Sequence, residues 1–518
     1  MKGSRLFGCA VMTALIIVTL FVPKVPEVRA AGQPKTLRGT VPEVVARGQA
    51  HLVQHHSASG TIDIVVGLPL RDQQGLDQFL ADVGNPSSPR YHQFLTQDQV
   101  NQLYNPTPAQ EQQVVSWLKA HGLTVTDTFP NHLLVDAQGT FGQVESMLQV
   151  TMNDYQATVR GKQGTFYAPD RDPTVDASVA DVVESISNLD NYPRFHLTSN
   201  GTGDTSPPLY PQDFANAYDV NPLWNAGYNG SRQHIGITLW TVPPSDPTLN
   251  TFASTTGANV ATVANGRLKV IRVDGGTNYG DVGEAALDIE YTSGLAPGAT
   301  IDYYESATDS SGNPTDKSLE DALNRAGTDS NNNRQISNSW GECEPSSTSD
   351  PFTAATQNIF QSNSATGHNY FFGSGDNGSW CDPNNVATDP YPFYPASSPY
   401  VTSVGGTKFN GNISSLRGWP GENTWDYCPY CNFSPQLFSP EGSGGGYSNL
   451  YGRPSWQTGS GLAPNGKRGY PDIASDADPN TGAYVCYSTN STCTQVGGTS
   501  LSGPLWAGML ADVNQYLA

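Results

Sequence analysis

The sequence predicts an α/β protein built as two folded units: a split β-α-β-β-α-β domain, followed by a larger domain with a doubly wound parallel sheet. Three observations predict it. At 518 residues the chain is too long for one ordinary domain. Strand and helix signals are mixed in the split order before residue 195 and alternate, strand then helix, after residue 209. Between them, Phe195 to Pro208 contains Thr-Ser-Asn-Gly-Thr-Gly-Asp-Thr-Ser-Pro-Pro, the composition of a flexible linker.

Residues 1–30 read as a cleavable export signal: Lys2 and Arg5, an apolar run from Phe7 to Val22, then Val28-Arg29-Ala30 as a small-residue cleavage site. The run falls short of the ~20 residues that span a bilayer, so an uncleaved anchor is the runner-up and no membrane contact is expected of the mature chain. In residues 31–194, Thr61 to Leu68 alternates as a strand and Asp72 to Val83 keeps a helical period. Thr107-Pro108-Ala109-Gln110 opens a helix with a capping box and a proline at its first position, and Gly122 closes it. Strand Leu133 to Ala137 precedes Thr140-Phe141-Gly142-Gln143, which repeats the capping logic before a helix ending near Gln149. This is a ferredoxin-like order. The linker, residues 195–208, is where a proteolytic cleavage is expected. In residues 209–518, strands Ile235 to Trp240, Thr300 to Tyr304, Gln335 to Ser339, Tyr370 to Phe372 and Tyr400 to Val404 alternate with helices, among them Ser318 to Ala326 and Pro351 to Asn363. Ligands of such sheets bind beyond the carboxyl ends of the strands, where Ser337-Asn338-Ser339-Trp340-Gly341 and Ser374-Gly375-Asp376 fall.

A net charge of −21 with only 14% charged residues reflects scarce lysine and arginine, and it excludes nucleic acid as a partner. Low charge density suits an exported protein exposed to acid, because protonating its carboxylates leaves fewer unbalanced positive charges. Of seven cysteines, Cys9 leaves with the signal. The other six lie between Cys343 and Cys493, an even number that favours disulfides after export. Short spacing suggests Cys428 with Cys431 and Cys486 with Cys493, leaving Cys343 for Cys381.

Two segments carry candidate chemistry. Gly497-Gly498-Thr499-Ser500-Leu501-Ser502-Gly503-Pro504 runs into an apolar helix, so Ser500 is either a nucleophile at a helix start or an ordinary cap. The glycines would admit a substrate backbone, and Pro504 fits a first helical turn. The second segment, Asp281 to Tyr291, places Glu284 and Asp288 one turn apart on one helix face. Asp281 with Glu284 could be a capping box, yet the neighbouring Ala285, Ala286, Leu287 and Ile289 bury this helix on most sides.

Together with Ser374-Gly375-Asp376, these segments follow the order Glu-x-x-x-Asp, Ser-Gly-Asp, Gly-Thr-Ser, and the chain resembles the sedolisins, or serine-carboxyl peptidases, in their pro-kumamolisin-like form. Asn85-Pro86-Ser87-Ser88-Pro89-Arg90-Tyr91-His92-Gln93-Phe94-Leu95-Thr96 resembles the family's activation-domain segment. The resemblance implies a subtilisin-like catalytic domain behind an activation domain that acts as an intramolecular inhibitor. It implies a secreted endopeptidase acting on proteins or peptides in acid. Glu284 would be the base, Asp288 its partner, Ser500 the nucleophile and Asp376 the oxyanion donor. Ser339, Trp340 and Gly341 would form the substrate-binding edge, and Gly445 and Gly446 would lie near the active site. Family members also bind calcium some tens of residues beyond the serine motif; those ligands are not in this sequence, and the acidic stretch Asp472 to Asp478 reads as a solvated loop. Subtilisins share the layout, but their His-Gly-Thr-His helix is missing. Only His234 and His368 occur in this domain, neither in a setting that suggests a triad base, so a carboxylate must serve. A tripeptidyl-peptidase of the same family, or a protease-like binding protein without turnover, are the alternatives.

Overall fold

The computed structural model describes residues 33–159, 162–198, 200–203, 208–280, 282–381, 391–410, 419–427, 441–488 and 493–518. The expected signal, Asp281, and the pair Cys428 and Cys431 lie outside these residues. The first unit contains β1 (Thr61–Gly67), α1 (Gln73–Gly84), α2 (Pro108–Ala120), β2 (Thr124–Thr128), β3 (Leu134–Thr140), α3 (Phe141–Leu148) and β4 (Ser185–Ser187). The sheet runs β2-β3-β1-β4, all antiparallel, which is the ferredoxin-like order. Both capping boxes form, Thr107 with Gln110 and Thr140 with Gln143, and Pro108 opens α2. A separate three-stranded sheet of His51–His55, Met152–Val159 and Lys162–Pro169 was not anticipated. Along β1 the side chains split by parity: Ile62, Ile64 and Val66 enter this unit's own core, while Val65 joins the core of the larger unit.

The larger unit contains β5 (His196–Leu197), β6 (His234–Leu239), β7 (Leu268–Arg272), α4 (Gly283–Leu295), β8 (Thr300–Glu305), α5 (Asp316–Thr328), β9 (Gln335–Asn338), β10 (Trp340–Cys343), α6 (Pro351–Ala365), β11 (Asn369–Gly373), β12 (Thr402–Phe409), β13 (Ile473–Asp476), β14 (Cys493–Gly497) and α7 (Thr499–Leu517). Its parallel sheet runs β7-β8-β6-β9-β11-β12, with β13 parallel on the far side of β12. Helices α4 and α7 pack together on one face, and α5 and α6 on the other. Strands covered on both faces carry apolar residues without alternation, as at Phe371 and Phe372. The pairs Cys343–Cys381 and Cys486–Cys493 are disulfides, as the spacing suggested.

The first unit docks on α5 and α6 through polar groups that need their partners. Ser187 Oγ donates to Glu320 Oε2 at 2.7 Å, and Gln361 Nε2 to Asp77 Oδ1 at 2.6 Å. At the centre, the buried Lys317 ammonium contacts Asp136 of β3 at 2.7 Å, Asp274 at 2.5 Å and Asp321 at 2.6 Å. Burial opposes the ammonium's charge, but three carboxylates outweigh it and hold its pKa high. The carboxyls of Asp136 and Asp321 are raised by burial, since one cation cannot neutralise three anions. Lys317→Ala is expected to destabilise the full chain at pH 7 by about 3–5 kcal/mol, because it strands buried carboxylates. The loss should shrink as pH falls and those raised carboxyls take up protons; equal denaturant midpoints for variant and wild type at pH 7 would refute the role.

The described residues at the start of the linker are held in place. Arg194 Nη2 contacts both carboxylate oxygens of Asp190 at 2.6 Å, and Phe195 packs edge-on against Phe352 and Trp340. Strand β5 then pairs antiparallel with β10, and Asn200–Gly203 pairs antiparallel with β14. A glycine- and threonine-rich composition permits extended backbone, and these edge strands supply hydrogen bonds that composition cannot report.

Candidate active site

Ser339, Asp376 and Ser500 lie at the carboxyl ends of β9 and β11 and the start of α7, with Asp288 bonded to Ser339. Ser500 is fully buried in the first turn of α7. The preceding glycines are required by packing: a Cβ on Gly497 would lie 2.3 Å from the Ala477 carbonyl oxygen, and Gly498 has φ +110°. Pro504 lies inside α7, not in its first turn. There it withholds the amide that would bond the Ser500 carbonyl, loosening the helix ladder at the serine.

Asp376 follows β11 through Gly375, at φ +100°. Its Oδ1 accepts from the Thr499 amide at 2.7 Å and the Thr499 hydroxyl at 2.8 Å, while its Oδ2 is buried with no hydrogen-bond partner. Burial pushes this carboxyl up to about 8; the Thr499 hydrogen bonds oppose the shift and the charge of Glu284 adds to it. Sequence reasoning missed Thr499, although it stands in the motif.

Helix α4 is buried along almost its whole length, as expected, and Glu284 occupies its first turn. Asp288 accepts from Ser339 Oγ at 2.8 Å through Oδ1. Burial and the Glu284 charge hold its pKa well above the carboxylate range. Glu284 thus lies within electrostatic reach of both Asp288 and Asp376.

The chain's own residues 196–198 cross this cluster. His196 is in register with Gly341 and Leu197 with Trp340. The Thr198 amide donates to the Ser339 carbonyl at 3.0 Å, the Ser500 amide donates to the Thr198 carbonyl at 3.2 Å, and the Thr198 and Ser500 hydroxyls are 2.9 Å apart. Ser339 therefore bridges the crossing strand and Asp288. Gly341 must be glycine, since a Cβ would lie 2.4 Å from Phe393. Trp340 contributes backbone only: its indole is buried and donates to the Thr238 carbonyl at 3.1 Å. Of the glycine run, Gly444 abuts the Ser374 loop, its amide 2.6 Å from the Gly375 carbonyl; Gly445 and Gly446 lead into the next strand, where Gly446 pairs with Tyr470.

Other residues fall elsewhere. His234 does face a carboxylate, Asp302 at 2.6 Å, a pairing the sequence did not reveal; it sits at the start of β6, the opposite end of the sheet from Ser500. His368 is partly buried; desolvation lowers its pKa to about 4, and it bonds the Thr366 hydroxyl. The Asp472 to Asp478 stretch is not a solvated loop: Asp476 and Asp478 are buried, Asp476 accepts from Thr481, and Asp472 pairs with Arg468. Among the described residues, one group of three carboxylates, Asp136, Asp274 and Asp321, converges as a cation site would. The Lys317 ammonium fills it, so it does not suit calcium.

The pro-kumamolisin activation domain matches residues 49–192 and the subtilase family matches residues 257–518. The chain is 30% identical over 493 residues to sedolisin of Pseudomonas sp. (strain 101), covering 91% of this chain and 79% of that protein. It is 31% identical over 510 residues to xanthomonalisin of Xanthomonas sp. (strain T-22), covering 88% of this chain but only 58% of that relative's length. Tripeptidyl-peptidase 1 of Rattus norvegicus is 27% identical over 472 residues, covering 86% of this chain and 78% of that protein. A solved structure of Pseudomonas sedolisin, a serine-carboxyl proteinase, matches with a TM-score of 0.50 and 28% identity, over 61% of this chain and 82% of the other.

Proposed function

The chain belongs to the sedolisin family of serine-carboxyl peptidases, and from that premise we propose that it is a secreted acid endopeptidase made as a self-processing proenzyme. Residues 31–194 serve as activation domain and 209–518 as peptidase domain. Glu284 takes the Ser500 proton as the hydroxyl attacks a peptide carbonyl. Asp288 shares that proton, so the two carboxyls titrate as a pair. The Asp376 carboxyl, neutral in acid, donates through its outer oxygen to the developing oxyanion. Segment 196–198 lies where a substrate strand would lie and so excludes competitors until it is cut.

The observation that carries this reading is the Asp376 carboxyl, anchored through one oxygen by the residue beside Ser500 with its other oxygen buried, a setting in which burial pushes its pKa up to about 8. Activity on an unfolded protein substrate is therefore expected to be lost as pH rises through about 8, where the donor becomes an anion that repels the oxyanion. A pH profile of kcat/KM still maximal above 8 would contradict it. The likeness to tripeptidyl-peptidase 1 favours, as a second reading, removal of tripeptides from free amino termini. Mass spectrometry of products from an amino-terminally blocked peptide separates the two, since an exopeptidase leaves it whole.

A further inference from the structure

The hydrogen bonds around Thr198 define a register, and the register selects one peptide bond. A substrate of a serine hydrolase lies extended against an edge strand, and the carbonyl under attack is the one whose oxygen meets the nucleophile's own amide. Among the described residues of the linker, Thr198 satisfies this: its carbonyl accepts from the Ser500 amide, its amide donates to Ser339, and its hydroxyl meets Ser500 Oγ. The two residues before it continue the antiparallel pairing along β10. The Thr198 hydroxyl also lies 2.9 Å from where a Cβ on Gly373 would stand, so the end of β11 closes tightly on this side chain.

We infer that the peptide bond following Thr198 is the one that Ser500 opens in its own chain, with Phe195 to Thr198 filling the acyl-side subsites. This rests on the peptidase function proposed above. Ser500 Oγ forms an ester bond to the Thr198 carbonyl carbon while its proton passes to Glu284; the carbon–nitrogen bond to residue 199 breaks, and the departing amine takes that proton. Water then hydrolyses the ester, leaving a carboxylate on Thr198 and restoring the Ser500 hydroxyl. The products are an activation domain ending at Thr198 and a peptidase chain beginning at Ser199.

The test is a time course of the purified full-length proenzyme after acidification, with intact-mass and amino-terminal analysis of the earliest fragments. The first large fragment is expected to begin at Ser199, and Ser500→Ala to stay uncut. Thr198→Pro removes the amide that donates to Ser339 and is expected to slow this cut by about 100-fold. In case that variant misfolds, a synthetic peptide of residues 192–205 given to matured wild-type enzyme should be cut after Thr198. A first cut at another bond, with Ser500→Ala intact, overturns the assignment and leaves the peptidase reading standing. Identical clipping of Ser500→Ala overturns self-cleavage itself.

Discussion

Ser500→Ala is expected to abolish turnover, lowering kcat by about 10⁴-fold or more, while the protein keeps its fold. In the proposed mechanism the hydroxyl supplies the attacking atom, and nothing else within the first turn of α7 can replace it: Thr499 already spends its hydroxyl on Asp376, and the Ser502 hydroxyl bonds the Ser475 carbonyl at 2.9 Å. What the variant loses structurally is the contact with the Thr198 hydroxyl, worth about 1 kcal/mol. Comparing melting temperature with rate separates the two effects. A small shift in Tm alongside a complete loss of hydrolysis is the expected pattern; substantial remaining activity would remove Ser500 from the mechanism.

Asp376→Ala is expected to lower kcat by about 10²–10³-fold, the usual cost of losing one oxyanion donor. Asp376→Asn is the more discriminating variant. Its amide oxygen can take the Oδ1 place and keep both Thr499 hydrogen bonds, leaving an NH₂ where the protonated Oδ2 stood. It should therefore retain more activity than the alanine variant and, having no proton to lose, should flatten the decline near pH 8. The same carboxyl bears on stability. Because the folded state raises its pKa, its contribution is complete in acid and is lost as pH climbs through about 8. If the asparagine variant keeps the wild-type alkaline limb, some other group causes it.

Much of this was legible because the relevant signals are local. Capping boxes at Thr107 and Thr140 bind partners three residues away, and strands such as β6 announce themselves by apolar runs. Glu284 and Asp288 are one helical turn apart, so their shared face follows from spacing. What escaped depends on contacts between distant segments. Thr198 and Ser500 are 302 residues apart and meet only because β5 finds the β10 edge. Asp302 reaches His234 because β6 and β8 are neighbours in space with α4 between them in sequence. Trp340 illustrates a limit of the motif reading: position marks its backbone as part of the edge strand, but only packing shows that the indole turns inward.

The Cys343–Cys381 disulfide has a consequence for where the molecule becomes competent. Cys343 ends the strand against which the crossing segment lies, and Cys381 follows the loop that presents Asp376; the Cys381 carbonyl is 3.0 Å from His196 Nε2. The bond therefore ties the two banks of the cleft together, removing about 4 kcal/mol of freedom from the unfolded chain by loop-closure entropy. Inside a reducing cell the banks are joined only by weaker contacts. In an oxidising compartment the bond would set their separation once, and with it the gap between the strand that holds residues 196–197 and the loop that presents Asp376.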